Sequence, residues 1–201
     1  NDIGSIDDMN NPSSGGTGLK YFLSNLEYFC DANGDHAYDP NNQLLSVYYS
    51  GNLNSQTVEY PVNDYAIKLT NCDYWTIENV SFEGYNFYHM NSAGGDYLTV
   101  DTCYFDRMPG AAGLQVTWCN VLTVRQNQLN NGISQGMMFW HCTNPTITGN
   151  YVNNVGTRDH MMSDALDGAA KGIALRECDG NVIINYNYVD STGFSGIANF
   201  N

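Results

Sequence analysis

Two groups of side chains in this sequence are of the types that do chemistry. The first is dense in charge: Arg158, Asp159, His160, Asp164, Asp167 and Lys171 fall close together in a chain with only 14% charged residues. An imidazole among carboxylates can move protons. Two carboxylates about 6.5–9.5 Å apart can hydrolyse a glycosidic bond with inversion. A base such as His160 or Lys171, with Arg158 or Arg176 as neutraliser, is the set an elimination at a uronate needs. His160, Asp164 and the nearby Glu177 are the catalytic candidates. The second group is aromatic and polar: Trp118, Trp140, His141 and Arg176, with Arg158 and Asp159 to one side. Sugar rings lay their C–H faces on indole, and arginine and carboxylates bond the hydroxyls. Aromatics with convergent polar groups mark a ligand cleft. Each group has a plainer reading. The first is a solvated excursion whose Met161, Met162 and Leu166 cover a wall, and the second is corner packing with His141 paired to Glu177.

The elements that must position these residues come from a repeat. Aligning Leu114–Leu129 with Met137–Val152 places Val116 over Phe139, Cys119 over Cys142, Val124 over Ile147, Asn127 over Asn150 and Leu129 over Val152, each offset by 23 residues. Upstream, Ile67, Leu69, Cys72, Ile77 and Phe82 fill the same slots. Val100 and Phe105 follow, with Cys103 where later units carry Asn. Downstream come Ile173, Leu175, Cys178, Ile184, Asn187 and Val189. Self-similarity at this period marks a solenoid.

Each unit has three short apolar bursts, and within a burst the alternation has period two, as in Thr146-Ile147-Thr148. Bursts so short exclude helical repeats, and no Leu-x-x-Leu-x-Leu frame is present. Three strands in about 23 residues fit one coil of a parallel β-helix, with copies stacked about 4.8 Å apart. Each aligned column is then a ladder. The cysteines form one at the turn between first and second strands, and Asn127, Asn150 and Asn187 form another at the next turn. Gly113, Gly136, Gly172 and Gly196 precede the first strands, where a tight turn calls for positive φ. The spacing from Ile147 to Ile184 is 37 residues, so an insert lies at 156–171, with a short helical turn expected over "SDALDGAAK".

The pattern G-[ILM]-x-[LVF]-x-x-C-x-N/D followed by T-[IV] resembles secreted bacterial right-handed parallel β-helix repeat proteins, the broad superfamily of pectate lyases, polygalacturonases, alginate lyases and phage tailspikes. The segment Gly18–Tyr49 is similar to the lead-in of many such surface-exported proteins, with His36 and Ala37 in place of the usual Glu-Trp. The resemblance implies a secreted or cell-surface protein acting on polysaccharide. It does not supply a catalytic set. The Asn-Thr-Asp, paired Asp-Asp and Gly-His-Gly of polygalacturonase-like hydrolases are missing, as are the Trp-x-Asp-His of pectate lyases and the Lys-Ser and Arg-His-Gly of alginate lyase relatives. One fold hosts many functions.

Composition agrees with an all-β chain, since Asn, Gly, Thr, Ser and Tyr abound. A net charge of −14 argues against nucleic acid and anionic membranes as partners. No run of about 18 apolar residues exists to span a bilayer. Six cysteines suggest three disulfides, but thiols stacked in consecutive coils cannot all pair, so a reduced ladder is expected. No C-x-x-C or H-x-x-x-H pair specifies zinc. The acidic surface would repel a polyanionic substrate unless Ca²⁺ bridged the two, which makes Ca²⁺ a candidate cofactor.

The expectation is therefore an all-β, right-handed parallel β-helix of five to six coils over residues 65–201, with a β-rich lead-in over 1–64. "SGIANFN" reads as the first strand of a sixth coil, so further domains of the same polypeptide are expected. The expected function is binding or processing of extracellular polysaccharide, through Trp118, Trp140, His141, Arg158, Asp159 and Arg176. The rivals are a polysaccharide lyase or glycoside hydrolase, and a structural stalk or adhesin.

Overall fold

The computed structural model describes residues 36–39, 41–57, 62–108, 111–156 and 170–200. The chain divides into two units, Asn1–Glu59 and Tyr60–Asn201. In the first, β1 (His36–Asp39) and β2 (Leu44–Val47) form an antiparallel hairpin with His36 opposite Val47.

The second unit is a parallel β-solenoid. Its coils are β3 (Tyr65–Thr70), β4 (Thr76–Glu78) and β5 (Ser81–Glu83); β6 (Tyr88–Ala93), β7 (Asp96–Asp101) and β8 (Tyr104–Met108); β9 (Ala112–Thr117), β10 (Asn120–Arg125) and β11 (Gln128–Gly132); β12 (Gln135–Trp140), β13 (Thr146–Thr148) and β14 (Tyr151–Val155); and β15 (Lys171–Arg176), β16 (Ile183–Asn185) and β17 (Tyr188–Thr192). β18 (Ser195–Phe200) opens a sixth coil. Strands of equal rank stack into one six-stranded and two five-stranded sheets. The register is the one the repeat predicts: Val116 pairs Phe139, Val124 pairs Ile147 and pairs on to Ile184 through it, and Leu129 pairs Val152.

Alternation within the strands fills the bore. Val124, Ile147, Phe139, Leu129 and Val152 are fully buried, while Thr76, Thr99, Thr123 and Thr146 form the outward column between them. Beside those threonines Arg125 bonds Asp101 through Nε at 2.8 Å, which draws the Asp101 carboxyl below its ordinary pKa.

The corners carry the polar ladders. Asn79, Thr102, Gln126, Gly149 and Tyr186 turn the chain with φ of 52–66°, and the N–H of the first four donates to a carbonyl one coil on. Such φ is uncommon outside glycine, and here the repeated backbone bond offsets its cost. The next residue begins the asparagine ladder. Asn127 Nδ2 donates to Asn150 Oδ1 at 2.9 Å, Asn150 Nδ2 to Asn187 Oδ1 at 2.9 Å, and Asn150 Oδ1 also accepts the Asn127 N–H at 3.0 Å. Cys103 takes the same rung, and its N–H donates to Asn127 Oδ1.

Cys72, Cys103, Cys119, Cys142 and Cys178 are all free thiols. Cys119, Cys142 and Cys178 are buried in consecutive coils, and Gly95 fills the slot between Cys72 and Cys119. Burial raises the thiol pKa of Cys103 and Cys119. The hydrogen bond with Cys178, and then burial, raises that of Cys142. The ladder is packing.

The glycine column has a different cause from the one expected. Gly113, Gly136, Gly172 and Gly196 are the second residues of their strands and none has positive φ. A Cβ on Gly136 would lie 2.5 Å from the Gly172 carbonyl oxygen, and one on Gly172 would lie 2.7 Å from that of Gly196. Close approach between coils selects glycine at 136 and 172, not turn geometry, while Gly196, on the last strand, has only ordinary contacts. In the second coil the same column holds His89, fully buried against the rings of Phe82, Phe105 and Tyr85.

Candidate functional site

The corner between first and second strands is turned by Asn71, Gly94, Trp118, His141 and Glu177, with φ of 51–74°. Their backbone N–H groups each donate to the coil above: Trp118 to the Trp140 carbonyl at 2.9 Å, His141 to that of Arg176 at 3.0 Å. A left-handed residue at a corner points its side chain away from the bore. Trp118, His141 and Glu177 therefore stand one above the next on the outside of the solenoid.

They interact in sequence. The Trp118 and His141 rings stack with centroids 3.8 Å apart and planes 12° from parallel. His141 Nδ1 lies 3.2 Å from Glu177 Oε2, and Glu177 Oε1 lies 3.6 Å from Arg176 Nε. The Arg176 guanidinium sits 5.6 Å from the centre of the Trp140 ring, its strand neighbour. Such contacts are worth about 0.5–1 kcal/mol where exposed. Their chemical effect is to fix two indoles. Trp118 is 62% exposed, which excludes corner packing as its role.

The expected pairing of His141 with Glu177 is present, and Trp118, Trp140, His141, Arg176 and Glu177 do converge. Arg158, Asp159, His160, Asp164 and the expected helical turn lie outside the described residues. The described ends of the insert, Gly156 and Ala170, lie against each other, each with positive φ. Lys171 is no loop charge: it opens β15, is 1% exposed, and its Nζ sits 4.9 Å from the Phe200 ring centre.

The outer face of the first-strand sheet is covered at its centre. Gln115, Met138 and Ala174, its central outer column, are buried at 5–7% exposure. The same column opens toward its two ends, at Lys68 and Ala198, and the corner beyond the strands is exposed at Trp118. Among the described residues no three His, Cys, Asp or Glu converge to hold a metal. None of their helices is long and apolar enough to cross a membrane.

Residues 43–201 match the family described as "Right handed beta helix region". The chain belongs to that family. A search of curated proteins and of solved structures found no match. For a right-handed β-helix, outer corners are where side chains are free of the hydrogen-bonding sheets, and this one carries the cluster.

The same corner holds residues that the repeat alignment did not single out. Tyr74 and Tyr97 have positive φ three residues beyond Asn71 and Gly94, and their rings stack at 4.7 Å, 5° from parallel. Their offset of 23 residues was the available signal. Asp96 Oδ1 accepts the Asn120 N–H at 3.2 Å, and Asp73 Oδ1 accepts that of Asp96 at 2.9 Å. One oxygen of each carboxylate is thus used for the backbone.

Proposed function

We propose that this β-helix engages extracellular polysaccharide through the corner cluster of Trp118, His141, Glu177, Arg176 and Trp140, as a secreted or surface-displayed protein. One observation carries the reading. An indole that is 62% exposed is backed on one face by an imidazole held at 3.2 Å by a carboxylate. Leaving so much indole in water has no folding benefit, and a pre-positioned aromatic face reduces the ordering cost of binding a sugar. Arg176 and Glu177 supply a donor and an acceptor beside it for hydroxyl groups. Glu177, engaged with both His141 and Arg176, is a positioning residue in this reading.

The test is a glycan array followed by titration calorimetry on the best ligand. Trp118→Ala is expected to weaken binding by about 1–3 kcal/mol, the scale of one large apolar contact. Asp101→Ala, on the second-strand sheet, is expected to leave binding unchanged. An array without a ligand would leave the structural stalk as the function. Turnover of a bound polysaccharide, abolished by His160→Ala or Asp164→Ala with the fold intact, would make the protein an enzyme. Absorbance near 235 nm would then separate lyase from hydrolase, since only elimination yields an unsaturated uronate.

A further inference from the structure

Resting on the polysaccharide reading, we infer that the corner seats a non-anionic glycan, neutral or amino-bearing, with one sugar in the gap left at Gly94 beneath the open face of Trp118. The stacking order at this corner is Asn71, Gly94, Trp118, His141, Glu177 from the first coil to the fifth. His141 covers the face of Trp118 that looks toward the fourth coil. The opposite face looks toward the second coil, where the corner residue is Gly94, without a side chain of its own, and the Asn71 amide reaches up beneath it. With one face covered by His141, the 62% exposure of Trp118 lies on the side toward that glycine.

The walls of the gap suit a sugar. Its lower side is the Asn71 amide, whose Oδ1 lies so close under Gly94 that a Cβ there would collide with it. An amide both donates and accepts, which matches a hydroxyl pair. Beside the gap, three residues round the same corner, stand Tyr97 and Tyr74, 46% and 76% exposed and stacked on one another. Coils rise by about 4.8 Å, close to the advance of one pyranose along an extended chain. A linear glycan running parallel to the solenoid axis would therefore keep pace with the rungs.

Charge selects the class. Asp73, Asp96, Asp179 and Glu177 line this corner, and Asp73 and Asp96 each keep one carboxylate oxygen beyond their backbone bonds. Arg176 is the cation among them and already faces Glu177 and Trp140. With a net charge of −14 over the whole chain, a uronate or sulfated polymer meets repulsion from these carboxylates. Hydroxyls and ammonium groups meet acceptors.

The test is calorimetry of the full chain with three soluble oligosaccharides of equal length: a β-glucan, a chitosan and an oligogalacturonate. The glucan or chitosan is expected to bind at least about tenfold tighter than the galacturonate. Asn71→Ala and Tyr97→Ala are each expected to lower affinity several-fold, with unchanged circular dichroism. Tyr188→Ala, on the stacked Tyr151–Tyr188 pair of the third-strand sheet, is expected to change nothing. Preference for galacturonate would overturn the charge argument while the polysaccharide reading stands. Loss of affinity in Trp118→Ala without any in Asn71→Ala or Tyr97→Ala would overturn the Gly94 gap as the seat. No binding of any chain would overturn this inference and the polysaccharide reading together.

Discussion

His89 should make the fold acid-sensitive in a defined pH window. Its ring is fully buried among Phe82, Phe105 and Tyr85, and neither ring nitrogen has a hydrogen-bond partner. Burial pulls its pKa from 6.5 down to about 4, with the Asp106 carboxylate opposing. The folded chain then holds the proton less tightly than the unfolded chain does. Stability is complete above pH 6.5 and is lost as pH falls toward 4. Integrating the difference gives a loss of about 3 kcal/mol at pH 4. A domain of this size shifts its Tm by about 2–4 °C per kcal/mol, so a fall of roughly 6–12 °C belongs to this one residue. Thermal melts by circular dichroism from about pH 7 to about pH 4, on the native chain and on His89→Phe, isolate it, because the carboxylates titrate alike in both. The difference in Tm between the two should narrow or reverse toward low pH in favour of the variant. Parallel Tm curves across the window would refute the argument, since an unpartnered buried imidazole would then carry no proton linkage.

Other outcomes follow from the ladders. Ile147→Ala should cost about 2–5 kcal/mol as a truncation in the bore, while Thr146→Ala, one residue away on the outer face, should cost well under that by urea unfolding. Asn150→Ala removes the acceptor of two Asn127 donors and the donor to the Val124 carbonyl, so about 2–4 kcal/mol is expected in the same assay from buried groups left unmatched. Gly136→Ala should destabilise by at least about 1 kcal/mol although its φ is ordinary, because the new methyl meets the Gly172 carbonyl. Labelling of the unfolded chain by a thiol reagent should be prompt, while Cys119 and Cys142 in the folded chain should resist it, as buried thiols with raised pKa.

The register was readable from sequence because coil stacking converts a period of 23 residues into physical contact. Each column of Val, Ile, Cys or Asn had to be self-compatible, so the alignment Val124–Ile147–Ile184 was already a statement about distance. The corner cluster was readable for the same reason, as Trp118, His141 and Glu177 share one phase. What was not readable was which outer columns are open. Met138 and Gln115 have the alternation of exposed residues and are buried, and alternation records only which face of a sheet a side chain leaves from. The glycine column was misread because φ and close approach select the same residue. His89 replacing glycine in that column, 24 residues before Gly113, was visible as a mismatch, but its lack of partners depends on packing among three rings from two coils.

Gly156 and Ala170 stand against each other, and the N–H of Gly156 bonds the Gly132 carbonyl below while the Ala170 carbonyl accepts from Phe194 above. The coil is thus closed between two residues that stand fourteen apart in sequence. Register runs unbroken on both sides of the junction, and loop closure grows only slowly more costly with length. Such a junction works as a socket. Segments of other lengths and chemistries can be seated there without respecifying any rung, and a protein built this way can change what its side presents while its scaffold stays the same.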